Sequence, residues 1–506
     1  MSKITKQDVV DWANKYLGPE SYAIIYKREG KDPDEQKIAA PKITPIVTNR
    51  DSQSEFLSEI QTAQVQPIEP VFVDYKKDMS QFEAQPGIDV LYKKNETNDI
   101  FTLIYVFNTG TENDPALNLA FNYLSYLGTD KMTAEEIASK MYDIACSFYM
   151  NAGANQSSIQ ITGLSENMGK AMEIVEGLIA GAKPDEAILE NCKADMLKSR
   201  ADAKLNQSRC FGALQRYLFY GGDFIRRTTL TDPALQALTS EQLLAKIGGL
   251  MGKQHEVLYY GPQKEAEVKS ALAEHHKVAA DLQPLEKKFS TLLPTDANKV
   301  VLAQYDAKQL YYLQFSNRGE KFDVAADPEI TLYNEYFGGG MNTIVFQEMR
   351  EARGLAYTAW ATLATPSNAN GDYSYYAFIA TQNDKMQKAV EAFDDIINNM
   401  PESEKAFGIA KEALVSRLRT ERTVKDGVLW SYLRTRDLGL DDPRDKQIFE
   451  KVQSMTLDDV KAAQQKWVKG RKYVYGILGD IQDLDLNYLK TLGPIQTVSQ
   501  EEIFGY

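Results

Sequence analysis

The sequence is short of the residues that would staple it, anchor it in a membrane or make it basic. Three cysteines, Cys146, Cys192 and Cys210, stand far apart among 506 residues; this excludes a disulfide framework and the close pairs of a zinc knuckle, and they are read as buried free thiols. Histidine is as scarce, with only His255, His275 and His276. No run of about 18 apolar residues occurs, so no membrane insertion is expected. The opening MSKITKQDVVDWANK lacks the basic-then-apolar order of an export signal, so any such signal would lie upstream, and the compartment is left open. Basic charge is also deficient: 57 Lys and Arg against 71 Asp and Glu give a formal net charge of −14 with no concentrated basic run, which excludes a nucleic-acid partner.

What is present is the mixture of a soluble, folded protein, 43% hydrophobic and 25% charged. The chain is too long for one core, and its length alone suggests about three domains. Internal repeats revise that count. ITKQDVVDWANKYLGPESYAIIY at 4–26, LTSEQLLAKIGGLMGKQHEVLYY at 238–260 and MTLDDVKAAQQKWVKGRKYVYGI at 455–477 align without a gap. Each starts with Thr (Thr5, Thr239, Thr456) followed three residues later by Asp8, Gln242 or Asp459, the arrangement that caps free N–H groups at a helix start. A break around Gly18, Gly252 or Gly470 precedes a run rich in Tyr, Val and Ile. The repeated unit is therefore predicted to be helix, turn, strand.

A longer repeat lies between these endings. PGIDVLYKKNETNDIFTLIYVFNTG is followed by an apolar helix ending NYLSYLG, the helix MTAEEIASKMYDIACSFYM, the strand SSIQITGL and the helix SENMGKAMEIVEGLI. DANKVVLAQYDAKQLYYLQFSNRG is followed by a helix ending YNEYFGG, the helix MNTIVFQEMREARGLAYTAW, the strand YSYYAFIAT and the helix QNDKMQKAVEAFDDII. Two homologous α+β domains follow, at 81–265 and 291–506, each a mainly antiparallel sheet with helices packed on one face. Three endings for two bodies do not balance: residues 1–28 read as the tail of a preceding domain whose larger part is missing, 29–80 as a Pro-bearing linker and 266–290 as a partly helical connector.

The segment YFGGGMNTIVFQEMREARGLAYTAWA at 336–361 resembles the signature of the C-terminal, non-catalytic domains of the insulinase/pitrilysin zinc metallopeptidases, an inverted-zinc-motif family. The resemblance implies a half-clamshell closing around a peptide, and it covers nearly the whole chain, because the first body repeats the layout. In that family H-x-x-E-H, with a distant Glu, holds zinc, and the motif Glu is the general base. The matching stretch here is LAFNY, with Leu119, Asn122 and Tyr123, and in the second body EITLY at 329–333, so neither body can supply the site. Adjacent His275 and His276 point about 100° apart on a helix and do not converge on one ion, which gives them a structural or solvent-exposed role. No metal or cofactor is expected in this chain; zinc is expected in the missing N-terminal half.

The resemblance further implies that Arg350 and Tyr357 reach substrate across the closed chamber, where a guanidinium and a phenol would stabilise a forming oxyanion. Arg353, in the same motif, is ranked below them as a salt-bridging or cavity-lining residue. The matching positions of the first body are Met141 and Phe148, which only pack. Gly338, Gly339 and Gly340 lack the Gly-Lys-Ser/Thr of a phosphate loop and read as a tightly packed helix end. The aromatic strands at 312–319 and 372–380 read as sheet packing, since the family's peptide-pairing edge belongs to the missing half. The expected function is the substrate-binding, chamber-closing half of a metalloendopeptidase, inactive alone and partnered by an N-terminal catalytic half and a peptide small enough for the chamber. The alternative is a non-catalytic scaffold or peptide-binding subunit.

Overall fold

The computed structural model describes residues 3–18, 20, 22–26, 30 and 54–506; most of the linker expected at 29–80 that precedes residue 54 lies outside them. The chain divides into two units, 1–67 and 68–506.

In the first unit the Thr5–Asp8 signal forms as expected: the Thr5 N–H donates to Asp8 Oδ2 at 2.7 Å and opens a helix over Lys6–Tyr16. None of that helix is buried. Residues 22–26, expected as a strand, join no sheet among the described residues. Extended sequence is insufficient alone, because a strand needs a neighbour for its N–H and C=O groups.

The second unit contains two six-stranded sheets. Strands β1 (Ser80–Gln85), β2 (Ile88–Lys94), β3 (Ile100–Phe107), β4 (Cys146–Ala152), β5 (Ser157–Leu164) and β6 (His255–Gly261) are ordered β1-β2-β6-β3-β5-β4. Strands β7 (Lys299–Gln304), β8 (Gln309–Lys321), β9 (Ala356–Ala364), β10 (Asp372–Gln382), β11 (Val474–Gly479) and β12 (Ile495–Val498) are ordered β12-β7-β11-β8-β10-β9. Five strands of each correspond. β6 lies parallel to β2 (Leu258 opposite Leu91) and antiparallel to β3 (Leu258 opposite Ile104). β11 likewise lies parallel to β7 (Tyr475 opposite Val300) and antiparallel to β8 (Tyr475 opposite Gln314). The repeats differ at the outer edge, where β1 is a hairpin partner at the very start of the first body and β12 a parallel strand from the end of the second.

The closing unit of each body threads the middle of its sheet, which explains its long apolar run: a strand covered on both faces has no reason to alternate. The second and third Thr signals open the helices Ser240–Leu250 and Leu457–Ala463, with Thr239 N donating to Gln242 Oε1 at 3.1 Å and Thr456 N to Asp459 Oδ2 at 2.7 Å.

One face of each sheet carries the helices of its own body. The other is covered by a helix from the opposite body. Cys210, Leu214 and Leu218 of the helix Gln207–Thr228 pack on Val301, Leu313, Phe315 and Leu478 of the second sheet. Val428, Leu429 and Leu433 of the helix Gly427–Asp437 pack on Leu91, Ile104, Val106 and Leu258 of the first. The close approach uses Gly476 in β11, where an added Cβ would lie 2.2 Å from Leu218 Cδ1.

Two segments read as single helices are a helix followed by an edge strand. The helix Ala134–Asp143 gives way to β4, and the turn ending at Ala352 gives way to β9. The reversals occur where the backbone adopts φ of +51° at Ala145 and +57° at Gly354. The aromatic strands pack as read, with Tyr312, Phe315 and Tyr375 fully enclosed. All three cysteines are free and buried.

Candidate functional site

The glycine run ends the helix Asp327–Phe337 under tight constraint. A Cβ at Gly338 would fall 2.4 Å from Asn334 O and 2.9 Å from Ala361 O, and one at Gly339 would lie 3.0 Å from Trp360 Cβ. The same corner clamps β9 from outside: Asn334 Nδ2 donates to Leu363 O and Leu363 N to Asn334 Oδ1, both at 2.9 Å, and Ala361 N donates to Gly338 O at 3.3 Å. That stretch of β9 has no open edge for an incoming peptide. A groove beside it is lined by Thr331, Glu335, Gly339, Trp360 and Arg444.

After the glycines the chain forms a short helix, Ile344–Phe346, then a widened turn over Gln347–Ala352, in which Arg353 N donates to Glu348 O at 3.1 Å. Widened turns of this kind shift side chains off the regular helical register. Buried Met349 anchors the turn, its carbonyl accepting from Leu355 N at 2.9 Å, while Arg350 stands on the outer side. In β9 the pairing with β10 steps from Thr358–Ala380 to Ala356–Thr381, so Tyr357 is the surplus residue of a bulge. A bulge re-aims a side chain. Tyr357 is 75% exposed.

These two irregularities bring the motif residues together. The Arg350 guanidinium lies 4.3 Å from the centre of the Tyr357 ring and 4.9 Å from that of Phe346. Its ion pair is the 3.4 Å contact of Nε with neighbouring Glu351. Arg353 is not at this stack: Nη2 donates to Asp395 Oδ2 at 2.6 Å and Nε reaches Glu348 at 3.4 Å, tying the turn to the helix Met386–Asn398. Hydrogen bonds from Arg353 and Asn399 hold the Asp395 carboxyl below its ordinary value. Sequence reasoning missed Phe346 and Asp395; an aromatic four residues before Arg350 was a usable signal, whereas Asp395 is 42 positions from its partner. In the first body Met141 is buried and Phe148 lies in regular, unbulged pairing with Ile161.

Neither body has the donors for zinc. On the helix Leu117–Leu124, Leu119 and Tyr123 are core, the Tyr123 hydroxyl donating to Ser240 Oγ at 2.7 Å, and Asn122 faces outward. Among the described residues, no group of three or more His, Cys, Asp or Glu could hold a metal ion. His255 and His276 meet with Nε2 atoms 2.8 Å apart inside the first body, His276 Nδ1 lies 2.7 Å from Glu176 Oε1, and Tyr105 OH donates to the same oxygen at 2.7 Å. His275 sits apart, 3.2 Å from Glu173. No helix among the described residues is long and apolar enough to cross a membrane.

Residues 254–414 match the family described as the Peptidase M16 inactive domain. An uncharacterized zinc protease of Streptomyces coelicolor is 21% identical over 398 residues, 73% of this chain and 82% of the relative. The crystal structure of a peptidase M16 inactive domain from Pseudomonas fluorescens superposes with a TM-score of 0.62 at 18% identity, covering 79% of this chain and 98% of the other. The periplasmic protease PqqL from Escherichia coli gives 0.61 at 13% identity over 94% of this chain, which spans about half (51%) of that protein. Residues 254–414 therefore match the M16 inactive domain, and the two mixed sheets share the fold of the M16-type structures.

Proposed function

We propose that this chain is the substrate-holding half of a zinc metalloendopeptidase, with the zinc carried by a catalytic half that closes a chamber over small peptides. The observation that supports this reading is the Arg350–Tyr357 stack, one guanidinium and one phenol 4.3 Å apart on an exposed surface. Such a pair suits a peptide carbonyl gaining negative charge. Arg350 presents N–H donors in a fixed plane and Tyr357 a hydroxyl, and both strengthen when chamber closure removes water. Arg353 acts on this reading as a positioning residue, holding the turn that carries Arg350.

Combining the chain with a zinc-bearing half of the family and following hydrolysis of an internally quenched peptide tests the proposal. Cleavage should need both halves, and Arg350→Ala or Tyr357→Phe should each lower kcat/KM by roughly 10- to 1,000-fold without changing assembly. Zinc-dependent cleavage by this chain alone, or assembled activity indifferent to both substitutions, would overturn the reading. Peptide binding without hydrolysis would favour a scaffold.

A further inference from the structure

The core between the second sheet and its own helices contains a polar patch. Tyr375 of β10 lies opposite Ser316 of β8, and Tyr473, one residue before β11, extends the Val474–Phe315 register to the other side of the same serine. Neighbouring strands are about 4.8 Å apart, so two upright rings flanking β8 would stand about 9–10 Å from each other. Their centres are 6.1 Å apart: the tyrosines lean together over the small side chain between them. Tyr333, from the helix Asp327–Phe337, joins them; its phenol is pushed up first by burial and then by Tyr375 and Tyr473, and is drawn back by Arg471. Gln314, two residues from Ser316 on β8, shares its face of the sheet.

The Tyr333, Tyr375 and Tyr473 hydroxyls, Ser316 Oγ and Gln314 Nε2 are all buried, yet none has a hydrogen-bond partner among the described residues. Even Tyr473, the least enclosed of the five side chains, is only 6% exposed. Unpaired polar groups are costly in a core, and five in one patch call for a common partner. A core-facing row across the corresponding strands of the first sheet, Val257–Tyr105–Ile159, reverses the sizes. Its single central tyrosine is satisfied by Glu176 at 2.7 Å, and its flanks are aliphatic.

We propose that these five groups enclose a binding site for one small monovalent anion of chloride size. Each of the five can donate a hydrogen, and Gln314 Nε2 can do nothing else. Burial, which pushes all three phenols up, keeps them protonated as donors. The charge beside the patch has the matching sign. Arg471 is buried, sends Nη1 to the Ser316 carbonyl at 3.4 Å, and shares the single carboxylate of Glu320 with Arg318. Two guanidiniums against one carboxylate leave a positive excess next to Ser316. Water would satisfy some of the donors but bring no charge against that excess. The close approach of the two rings favours a single atom over a polyatomic anion. Through Tyr333 the ion would tie the helix Asp327–Phe337, whose end clamps β9, to the centre of the sheet.

Crystals of the full chain grown with sodium bromide in place of chloride test the site, because bromide scatters anomalously. An anomalous peak among the Tyr333, Tyr375 and Tyr473 hydroxyls is expected. Ordered water there without anomalous signal, or bromide only on the surface, would overturn the proposal. In solution, urea midpoints of the refolded chain should rise as chloride replaces gluconate at constant ionic strength. Tyr375→Phe and Tyr473→Phe each remove one donor with little change of shape, and each should weaken the apparent chloride affinity by roughly 10-fold. A chloride dependence that both variants keep in full would put the ion elsewhere and sink the site, as would midpoints that chloride leaves unmoved. Should either variant fail to fold, the bromide map of the wild type decides alone.

Discussion

Tyr357 owes its exposure to being one residue too many in β9. Without the bulge the ring would follow the strand's in–out alternation, and Arg350 would lose the face on which it stacks. The motif made both residues visible in sequence, but their contact depends on two local irregularities that spacing does not encode. The buried His255–His276 pair was less legible still, because the separation of 21 positions gives no sign that the rings meet. His255 Nδ1 faces the Lys253 carbonyl and must donate to it, so the Nε2–Nε2 contact needs His276 to carry the proton that His255 accepts. Glu176 and Tyr105 complete the enclosure, and burial first, the neighbouring His276 second, push His255 down to about 4 from an ordinary 6.5. The sign follows. Between those values the unfolded chain binds a proton that the folded chain refuses, so this contribution is whole above pH 6.5 and is lost as pH falls toward 4. Its size is about 3 kcal/mol. Urea midpoints measured at pH 7.5, 6 and 4.5 should fall with acidity, and His255→Gln, which does not titrate, should flatten that slope. Parallel curves for the two proteins would show that His255 is not the cause.

At the scale of elements, the capping signals at Thr5, Thr239 and Thr456 and the central strands were legible because each rests on contiguous residues. The edge strands were not. β4 follows its helix through Ala145, a non-glycine residue at φ +51°, so no glycine marks the break; β9 follows Gly354, but inside a motif whose apolar spacing continues past it. Glycine has the opposite meaning at two other positions. Gly338 ends a helix against backbone that cannot easily yield, since Asn334 O and Ala361 O would both meet an added methyl. Gly408, inside the helix Glu404–Thr420, has nothing within 4 Å of where a Cβ would stand. Gly338→Ala should therefore destabilise by about 1–3 kcal/mol and loosen the clamp on β9. Gly408→Ala should stabilise by about 0.5–1 kcal/mol through the lost entropy of the unfolded chain and better helix propensity. Paired urea titrations decide it, and equal shifts of the same sign would refute the packing argument.

For the second unit as a whole, the repeat implied two homologous bodies, each with helices on one face of its sheet. Which sheet each covers is a tertiary fact. The exchange of Gln207–Thr228 and Gly427–Asp437 makes each sheet depend on the other body for its second face. Polar contacts run the same way: Arg436, on the second helix, pairs with Glu256 of β6 through Nη2 to Oε2 at 2.8 Å, and Tyr75, packed beneath the same helix, hydrogen-bonds Ser431 and Thr435 at 2.8 and 2.9 Å. Removing apolar contact at one exchanged helix should therefore be felt in the other body's sheet. Leu429 is fully buried against the first sheet, and truncating a buried leucine costs about 2–5 kcal/mol. Leu429→Ala should accelerate amide exchange in β2, β3 and β6 at least as much as in β7 and β8, although the substitution lies in the sequence of the second body. Leu218→Ala should do the reverse, exposing β8 and β11 from within the first. Calorimetry of the wild type should then show one transition for residues 68–506, because neither sheet keeps both faces covered once the other body opens. Two separate transitions, with each variant confined to the body that contains it, would mean that the exchanged helices contribute to packing but do not couple the two cores.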